Sequence, residues 1–458
     1  MDTVTPELLR KFDVSGPRYT SYPTADRFVE TFGAADYIAA LDQRRAGTVA
    51  SPLSLYVHVP FCESLCYYCA CNKIITKHHE RAAEYLRYLS VEVDLHIARL
   101  GTGQVVSQLH LGGGTPTFLS DAELRELMDM FKRNFILAPG GEYSIEVDPR
   151  TVDAKRLATL KALGFNRLSF GVQDFDPEVQ AAVHRVQPPE QVFALVASAR
   201  ALGFESINVD LIYGLPKQTP ESFDRTLEQI AQLRPDRIAL YAYAHLPERF
   251  KPQRRIITIE LPGAPAKVSM LSRSLNAFEQ AGYVYIGMDH FALPDDALAV
   301  AKRQGRLHRN FQGYSTQPDC DLIALGVSSI GRVGATYSQN VKTLDGYYDM
   351  LNHGAFPVVR GLALSNDDVL RRAVIMAIMC QGRLPFEAIE SPYQIDFKRY
   401  FETEMSRLLA LQEQGLVQVD EHAIQVTPMG WFFVRAVAMV FDKHLQGAQT
   451  QTRFSKIL

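Results

Sequence analysis

Two hydrophobic periods alternate along most of the chain. From about residue 53 to about residue 287, each short apolar run is followed by a polar or glycine-rich turn and then by a longer stretch with helical apolar spacing. The predicted helices include residues 80–100 and 222–233. The predicted strands are LSLYVHV from residue 53, VSQLHL from 106, YSIEV from 143, RLSFGV from 167, SINVDLI from 206, RIALY from 237 and YVYIG from 283. This succession predicts an α/β fold with parallel strands.

Parallel strands joined by helices form either a barrel or an open sheet, and the periodicity does not distinguish the two. In both arrangements, the loops after the carboxyl ends of the strands build the functional site. Candidate site residues lie at or just beyond the ends of six predicted strands: Cys62, Gly113, Glu146, Gln173, Asp210 and His245. The pattern therefore predicts one site at this edge of the sheet.

Beyond about residue 365 the pattern changes to helices at 366–380 and 397–415, a hairpin-like LVQVDEHAIQV and a last helix from Pro428. These elements predict a small, mainly helical domain of winged-helix type. DNA binding would need a basic recognition stripe, and none is visible in this segment. A structural cover over the rest of the fold is the favoured role.

Four of the six cysteines fall within ten residues, at Cys62, Cys66, Cys69 and Cys71. A C-x3-C-x2-C loop offers three thiolates to one 4Fe-4S cluster and leaves the fourth iron without a protein ligand. A structural zinc site is an alternative, although such sites usually pair two short knuckles and only Cys66 and Cys69 form one. A disulfide is a second alternative, but nothing in the sequence indicates an oxidising compartment.

Composition limits the partners and the location. The 458 residues carry a formal net charge of -3, and no long run of Lys and Arg supplies a local attraction to nucleic acid. The N-terminal MDTVTPELLRKFDV lacks the continuous apolar segment of a signal peptide. The longest apolar runs, such as AVIMAIMC at 373–380, are too short to span a bilayer. We therefore expect a cytoplasmic protein without nucleic acid or membrane partners.

Three glycines follow the second predicted strand, in LHLGGGTPT at 109–117. Glycine lets backbone amides approach a ligand closely, so the turn could hold an amino-acid moiety or a phosphate. Together, CESLCYYC and GGGTPT resemble the radical S-adenosylmethionine (SAM) superfamily, and more narrowly the chain resembles the oxygen-independent coproporphyrinogen III oxidases. The other motifs that carry this resemblance are SGPRYTSYPTA from residue 15, the extra cysteine in CAC, SIEVDPR from 144, GVQDF from 171, NVDLIYGLPKQTPESF from 208, YAHLP from 243, GMDHFALPDD from 287, LHRNFQGY from 307 and the C-terminal RFSKIL.

The resemblance implies a partial (β/α) barrel of roughly six βα units with a small, mainly helical C-terminal domain. It implies four divisions: an N-terminal segment covering the site (1–50), the radical SAM partial barrel (51–290), a barrel extension and connecting region (291–364) and the C-terminal winged-helix-like domain (365–458). It further implies that Cys62, Cys66 and Cys69 hold the cluster. The amino and carboxylate groups of SAM would then bind the open iron.

The family is described with two SAM molecules, which suits a reaction performed twice. Matching positions give a set of SAM contacts, each of which has suitable chemistry: Tyr56, Tyr68, Gly113, Gly114, Thr115, Glu146, Gln173, Arg185, Asp210, Ala244 and Ile330. For the carboxylates, such as Asp148 or Asp210, capping of the next helix is an alternative. Cys71 would face the substrate pocket as a catalytic residue, since a fourth thiolate ligand would block SAM. A small buried apolar residue is the alternative for Cys71.

The implied reaction is oxidative decarboxylation of two propionates of coproporphyrinogen III to vinyl groups, started by a 5'-deoxyadenosyl radical. A tetra-anionic substrate needs cations, and candidates are Arg18, Lys251, Arg254, Arg255 and Arg309. The implied partner is an electron donor such as a flavodoxin-type protein, and the expected state is a monomer. Two alternatives are a haem-binding sibling and another radical SAM enzyme such as a methyltransferase. Cys71 and SGPRYTSYPTA argue against the sibling, and full-length similarity argues against the second.

Overall fold

The computed structural model describes residues 16–47 and 51–445, together with Lys11. The predicted motif RFSKIL and, apart from Lys11, the segment MDTVTPELLRKFDV lie outside the described residues, as does Ser15 of SGPRYTSYPTA. The chain divides into two compact units built from non-consecutive segments. Among the described residues, those within 28–277 and 320–363 form the larger unit, and those up to 27, within 278–319 and from 364 onwards form the smaller unit.

The described residues form nineteen strands, numbered here in chain order. They are β1 Leu53–Val59, β2 Phe61–Cys62, β3 Ile74–Ile75, β4 Gln104–Gly113, β5 Phe135–Val147, β6 Arg167–Gln173, β7 Ser206–Tyr213, β8 Arg237–Ala242, β9 Val284–Gly287, β10 His290–Ala292, β11 His308–Asn310, β12 Gly313–Ser315, β13 Asp321–Leu325, β14 Ile330–Val333, β15 Thr336–Asn340, β16 Val358–Ala363, β17 Arg383–Pro385, β18 Val417–Val419 and β19 Ala423–Val426.

The same residues form fifteen α-helices and several short 3-10 helices. The α-helices are α1 Ala34–Ala46, α2 Glu80–Leu100, α3 Asp121–Asn134, α4 Ala154–Leu163, α5 Pro177–Ala182, α6 Pro189–Ala201, α7 Pro220–Leu233, α8 Ala264–Gln280, α9 Ala297–Arg303, α10 Leu344–Asn352, α11 Asn366–Gln381, α12 Glu387–Tyr393, α13 Phe397–Tyr400, α14 Glu402–Glu413 and α15 Val434–Met439. The 3-10 helices are Ala25–Arg27, Pro116–Phe118, Pro149–Thr151, Lys251–Arg255, Thr258–Glu260, Gly430–Phe433 and Lys443–Leu445. Within the described residues, no helix is both long enough and apolar enough to cross a bilayer.

One sheet organises the larger unit. Ten of its described strands follow the order β16-β15-β14-β13-β1-β4-β5-β6-β7-β8. From β13 to β8 every pairing is parallel, whereas β14, β15 and β16 pair antiparallel. The six strands β1 and β4 to β8 are the predicted parallel series, and the order is linear, so these strands do not close into a complete barrel. The α/β fold class predicted from the sequence is confirmed.

Local sequence explains why helices alternate with these strands. Ser120 and Glu123 form a reciprocal capping box at the start of α3, and Thr219 with Ser222 does the same at the start of α7. α4 ends at Gly164, which takes the left-handed conformation that terminates helices. These signals return the chain to the sheet after each helix, so the strands run parallel.

Two regions differ from the predicted pattern. The strand YVYIG is present as β9, but it pairs antiparallel with β10 in the smaller unit and is not part of a βα repeat. Met288 and Asp289 between them have φ of 44° and 70°, which gives the two-residue hairpin turn that matches strand twist. The predicted helix at 397–415 is interrupted at Phe401, where ψ is 31° and α13 gives way to α14.

A buried carboxylate joins α2 to the antiparallel strands of the larger unit. Glu92 accepts hydrogen bonds from Tyr347 Oη at 2.6 Å, from the N–H of Gly326 at 2.7 Å and from Asn340 Nδ2 at 2.7 Å. Burial raises the pKa of Glu92 to about 7, although these three donors oppose the shift. Because buried carboxylates are costly unless donors satisfy them, each donor contributes to holding α2 in place.

Removing one donor tests this network. Tyr347→Phe should lower the free energy of unfolding by about 1–3 kcal/mol, because the carboxylate of Glu92 loses a hydrogen bond in a buried place. Hydrogen exchange of peptides spanning residues 326–341 should speed up accordingly. Tyr348→Phe is the matched control, since this neighbour is only partly buried. Equal exchange in the two variants would show that the tyrosine hydroxyl does not stabilise the network.

Candidate functional site

Three of the clustered cysteines lie on one closed loop. Cys62 ends β2, and the parallel pairing of β2 with β3 places it opposite Ile75. The N–H of Thr76 donates to the carbonyl oxygen of Cys62 at 2.9 Å, which closes the loop at its base. Inside the loop, the N–H of Cys69 donates to the carbonyl oxygen of Cys66 at 3.3 Å. Backbone hydrogen bonds therefore fix all three cysteines on one short segment.

Hydrogen-bond donors approach two of the three thiols. Thr115 Oγ1 donates to Cys62 Sγ at 3.3 Å. The guanidinium groups of Arg185 and Arg150 donate to Cys66 Sγ at 3.4 Å and 3.6 Å, respectively. Donors and positive charge favour the thiolate, which is the form of cysteine that binds a metal. The surroundings of Cys66 are therefore suited to a metal ligand.

Cys71 changes the pKa of its neighbour Cys69. A hydrogen bond with Cys71, aided by the charge of Lys73, lowers the pKa of Cys69 to about 6. The same interaction with Cys69 raises the pKa of Cys71. Burial raises the pKa of Cys62 to about 11. Cys71 is exposed, unlike the two buried thiols Cys62 and Cys66. Its thiol is a hydrogen-bond partner of Cys69.

The donor set fits a 4Fe-4S cluster with three protein ligands. Among the residues that the structure describes, no three His, Cys, Asp or Glu side chains converge as ligands of a single ion do. In a 4Fe-4S cluster each thiolate binds a different iron, so the three sulfurs do not need to converge on one point. A cavity of about 140 Å³ lies beside Cys62 and is also lined by Thr115, Asp148 and Arg150. The thiol of Cys62, a hydroxyl, a carboxylate and a cation thus face the same space.

An ion-pair network supports the cysteine loop from the neighbouring strands. Arg185 donates to the carbonyl oxygen of Gly171 at 2.6 Å through Nη2 and lies 3.3 Å from Asp148 Oδ2. Asp148 also accepts from Arg150 Nη2 at 2.7 Å, and its carboxylate caps the 3-10 helix Pro149–Thr151. Burial opposes ionisation of Asp148, but the two arginines lower its pKa overall. Asp148 is therefore both a cap, as considered from the sequence, and a counter-ion.

A second network crosses β1, β4 and β5. Glu146 accepts from the N–H of Gly113 at 3.2 Å and lies 3.4 Å from His110 Nε2. Tyr56 Oη lies 3.0 Å from His58 Nδ1, and the Tyr56 ring stacks on His110 with centroids 6.0 Å apart. Burial opposes ionisation of Glu146, yet His110 and Gly113 lower its pKa. Glu146 is thus an ionised acceptor at neutral pH.

The pKa of Asp210 shifts in the opposite direction to that of Glu146. It lies inside β7 and not at the strand end predicted for it, and it accepts from Asn208 Nδ2 at 2.9 Å and Ser169 Oγ at 3.2 Å. Burial and the charge of Glu146 raise the pKa of Asp210 to about 6. The two carboxylates therefore interact, and the capping alternative does not apply to Asp210, because its side-chain partners are on strands.

Backbone geometry explains two of the glycines. Gly113 has φ of 114°, and a Cβ added there would lie 2.8 Å from the ring of His58. A Cβ at Gly114 would lie 2.7 Å from the carbonyl oxygen of Pro60. Only glycine fits such close approaches. Gln173, which ends β6, has φ of 69°, a left-handed conformation that is rare for a residue with a side chain.

Tyr68, Ala244 and Ile330 are located by their backbone contacts or their position in the sheet. The amide of Gln253 donates to the carbonyl oxygens of Tyr68 at 3.0 Å and Ala244 at 3.2 Å, which links the cysteine loop to the chain after β8. Ile330 begins β14, two strands from β1 in the sheet. The structure brings part of the predicted set together, directly or through a common neighbour: Cys62 with Thr115, Cys66 with Arg185, Cys69 with Cys71, Gly113 with Glu146, and Tyr68 with Ala244. Glu146 and Asp210 interact electrostatically. None of the contacts described here joins Gly114, Gln173 or Ile330 to the other members.

Sequence reasoning missed three contributors. His58 and His110 join Tyr56 to Glu146, and Arg150 joins Asp148 to the cysteine loop. The signal for the histidines was present, because Tyr56 and His58 are two residues apart on β1 and so share one face. Polar residues spaced two positions apart within an otherwise apolar strand indicate a functional face of the sheet. Arg150 ends the motif SIEVDPR, so it too carried a signal, although its position after Asp148 in a polar turn did not indicate a contact with Cys66.

Comparisons with known proteins agree with this geometry. The model of the radical SAM superfamily matches residues 56–230, and that of the HemN C-terminal domain matches residues 364–433. The oxygen-independent coproporphyrinogen III oxidase of Pseudomonas aeruginosa is 50% identical over 455 residues, covering 99% of this chain and 98% of that protein. The enzyme of the same name from Escherichia coli is 48% identical over 451 residues, covering 98% of each.

A solved structure gives the same result. Coproporphyrinogen III oxidase from Escherichia coli, described as a radical SAM enzyme, superposes with a TM-score of 0.89 at 48% identity, over 94% of this chain and 100% of that chain. The α/β fold and the three-cysteine loop are thus those of a radical SAM enzyme, which makes a 4Fe-4S cluster and SAM its cofactors. Within that superfamily, the chain belongs to the oxygen-independent coproporphyrinogen III oxidase family.

Arg150 offers a test of the environment of Cys66. Positive charge and hydrogen bonds near a ligand sulfur stabilise the reduced, more negative cluster. Arg150→Gln should therefore make the midpoint potential of the cluster more negative without loss of iron, as measured by anaerobic redox titration followed by electron paramagnetic resonance. Lys155→Gln, at an exposed position on α4, is the matched control and should not shift the potential. An unchanged potential in Arg150→Gln would contradict the assigned contact.

Proposed function

We propose that this protein converts two propionates of coproporphyrinogen III to vinyl groups by oxygen-independent oxidative decarboxylation, giving protoporphyrinogen IX and carbon dioxide. The observation that carries the proposal is a three-cysteine loop with arginine donors at Cys66, in a chain that matches relatives named for this activity over nearly its full length. The reaction belongs to porphyrin and haem biosynthesis.

Cys62, Cys66 and Cys69 are the cluster ligands in this proposal, and two SAM molecules bind in the same site. When bound, the cluster and SAM supply one-electron reduction and hydrogen-atom abstraction. The contribution of the protein is to bind, orient and desolvate these groups. Tyr56 and Tyr68 offer aromatic surface, and Gly113 and Gly114 allow close backbone approach.

The two interacting carboxylates have different parts in binding SAM. Glu146, whose pKa is lowered, accepts hydrogen bonds from an ammonium group or a ribose hydroxyl. Asp210, with a pKa of about 6, is mainly an acceptor at pH 7 and gains a proton to donate as the pH falls through 6. Arg185 is already engaged by Gly171 and Asp148, so it presents its charge to a ligand carboxylate from a fixed position. Thr115, Gln173, Ala244 and Ile330 complete the proposed set.

The proposed cellular location of the enzyme follows from its need for reduced thiols. Ligand cysteines stay reduced in the cytoplasm, which is the proposed location. A flavodoxin-type protein is the proposed electron donor, because the cluster takes one electron at a time. We propose that the enzyme acts as a monomer.

A direct assay tests the function. Anaerobic incubation of reconstituted protein with coproporphyrinogen III, SAM and a reductant should give protoporphyrinogen IX, read by chromatography of the oxidised porphyrins. Cys66→Ser should lose most of the iron and all of the conversion, because one of three ligands is removed. Cys380→Ser, at a buried thiol of the smaller unit, is the control for loss of any cysteine. Intact iron in Cys66→Ser, or no conversion by the reconstituted wild type, would contradict the proposal.

Substitution of Cys71 distinguishes a role in cluster assembly from a role in turnover. As a catalytic residue it should be dispensable for the cluster, so Cys71→Ser should retain iron and SAM binding while conversion of coproporphyrinogen III falls sharply. The physical reason is that an exposed thiol can be oxidised or donate a hydrogen, which a serine hydroxyl does far less readily. Iron content, equilibrium SAM binding and product yield measure the three properties. Loss of iron would make Cys71 a ligand, and full product formation would remove it from catalysis.

A further inference from the structure

The smaller unit contains a buried arginine with unsatisfied N–H donors. Arg309 lies in the middle of β11 and is 5% exposed. Its Nε and Nη1 atoms are buried without a hydrogen-bond partner. A buried donor without a partner costs free energy, and a buried charge costs more. A ligand that supplies acceptors to these nitrogens would remove this cost.

The guanidinium group of Arg309 is held in a defined plane. Tyr314 lies directly opposite it on β12, and the guanidinium carbon lies 4.6 Å from the centre of the Tyr314 ring. The ring is fixed in turn, because Tyr314 Oη donates to the carbonyl oxygen of Met379 at 3.1 Å and the ring packs edge-on against His290. Stacking orients a guanidinium group without occupying its N–H donors.

Two more arginines lie within electrostatic range. Arg18 pairs with Asp289 at 2.5 Å, and the two side chains are 32% and 25% exposed. Arg435, which is buried, donates to the carbonyl oxygens of Pro17, at 3.0 Å, and Gly16. Arg435 therefore fixes the segment that carries Arg18, and the cluster reaches the surface at the Arg18–Asp289 pair.

The arginines act on one another and on their neutral neighbour. Burial and the charge of Arg18 lower the pKa of Arg435 to about 10, and Arg309 adds to the effect. Burial and Arg309 lower the pKa of His290 to about 4, so this histidine is neutral at physiological pH. The carboxylate of Asp289 acts on both Arg435 and His290 and opposes the lowering of their pKa values. Arg18 and Arg309 both act on Arg435 and on His290, so positive charge predominates around these two residues.

We propose that Arg309 and Arg18 form a carboxylate-binding site in the smaller unit, and that a propionate of the porphyrinogen substrate is its ligand. The planar N–H donors of arginine match the two oxygens of a carboxylate, which lysine does not. The choice of ligand rests on the proposed function, since coproporphyrinogen III carries four propionates. Arg435 acts through the backbone of residues 16–17 and is a positioning residue.

Binding of coproporphyrinogen III tests the site without turnover. Anaerobic equilibrium dialysis of the cluster-loaded protein without SAM should show that Arg309→Met weakens binding about 10- to 100-fold, the effect of losing a charged hydrogen bond. Arg309→Lys should fall between Arg309→Met and the wild type. The tetramethyl ester of coproporphyrinogen III should bind the wild type and Arg309→Met equally. Arg306→Met is the matched control, because Arg306 is exposed three residues away and its guanidinium pairs with Gln304.

Stability gives a second readout. Without ligand, Arg309→Met should raise the thermal midpoint of the smaller unit, followed by the fluorescence of Trp431, the single tryptophan of the chain. A merely structural arginine would lower that midpoint on substitution. Equal affinity of wild type and Arg309→Met for coproporphyrinogen III would overturn the site while leaving the proposed function intact. Failure of the wild type to bind coproporphyrinogen III at all would instead overturn the proposed function.

Discussion

Compensation of charge around one buried thiol is the constraint on which the site depends. Cys66 must become an anion in a place that water does not reach freely, and burial alone would oppose that change. Arg150 and Arg185 supply the opposing charge, and Asp148 holds the two arginines together. Because Arg185 also binds the backbone of β6 at Gly171, the geometry of the cysteine loop depends on the sheet itself.

The same sheet shifts the pKa values of two carboxylates in opposite directions. Glu146 receives a backbone N–H and an imidazole, so it stays ionised. Asp210, two strands away, accepts hydrogen bonds from an amide and a hydroxyl. Burial and the negative charge of Glu146 nevertheless raise its pKa. Two acidic residues in one site can therefore accept different partners, because their neighbours on adjacent strands differ.

The sequence predicted what local patterns encode. The spacing of Cys62, Cys66 and Cys69 and the period of the parallel strands are local, and the α/β fold class followed from them. The antiparallel strands β14–β16 and the antiparallel pairing of β9 were not predicted, because pairing depends on distant or opposing segments. The hydrogen bonds of Glu92 to residues more than 200 positions away have no local signature either.

The two compact units also separate two kinds of recognition. The cysteine and glycine motifs lie in the larger unit, whereas the described part of SGPRYTSYPTA that carries Arg18, and LHRNFQGY, lie in the smaller unit. In the smaller unit, Tyr19 donates to Asp442 at 3.0 Å and Arg435 binds the carbonyl oxygens of residues 16–17, so the N-terminal motif is fixed by residues over 400 positions later. Substitution of Tyr19, Arg435 or Asp442 would therefore change how Arg18 is held. The contacts of the cysteine loop are made within the larger unit and would stay as they are.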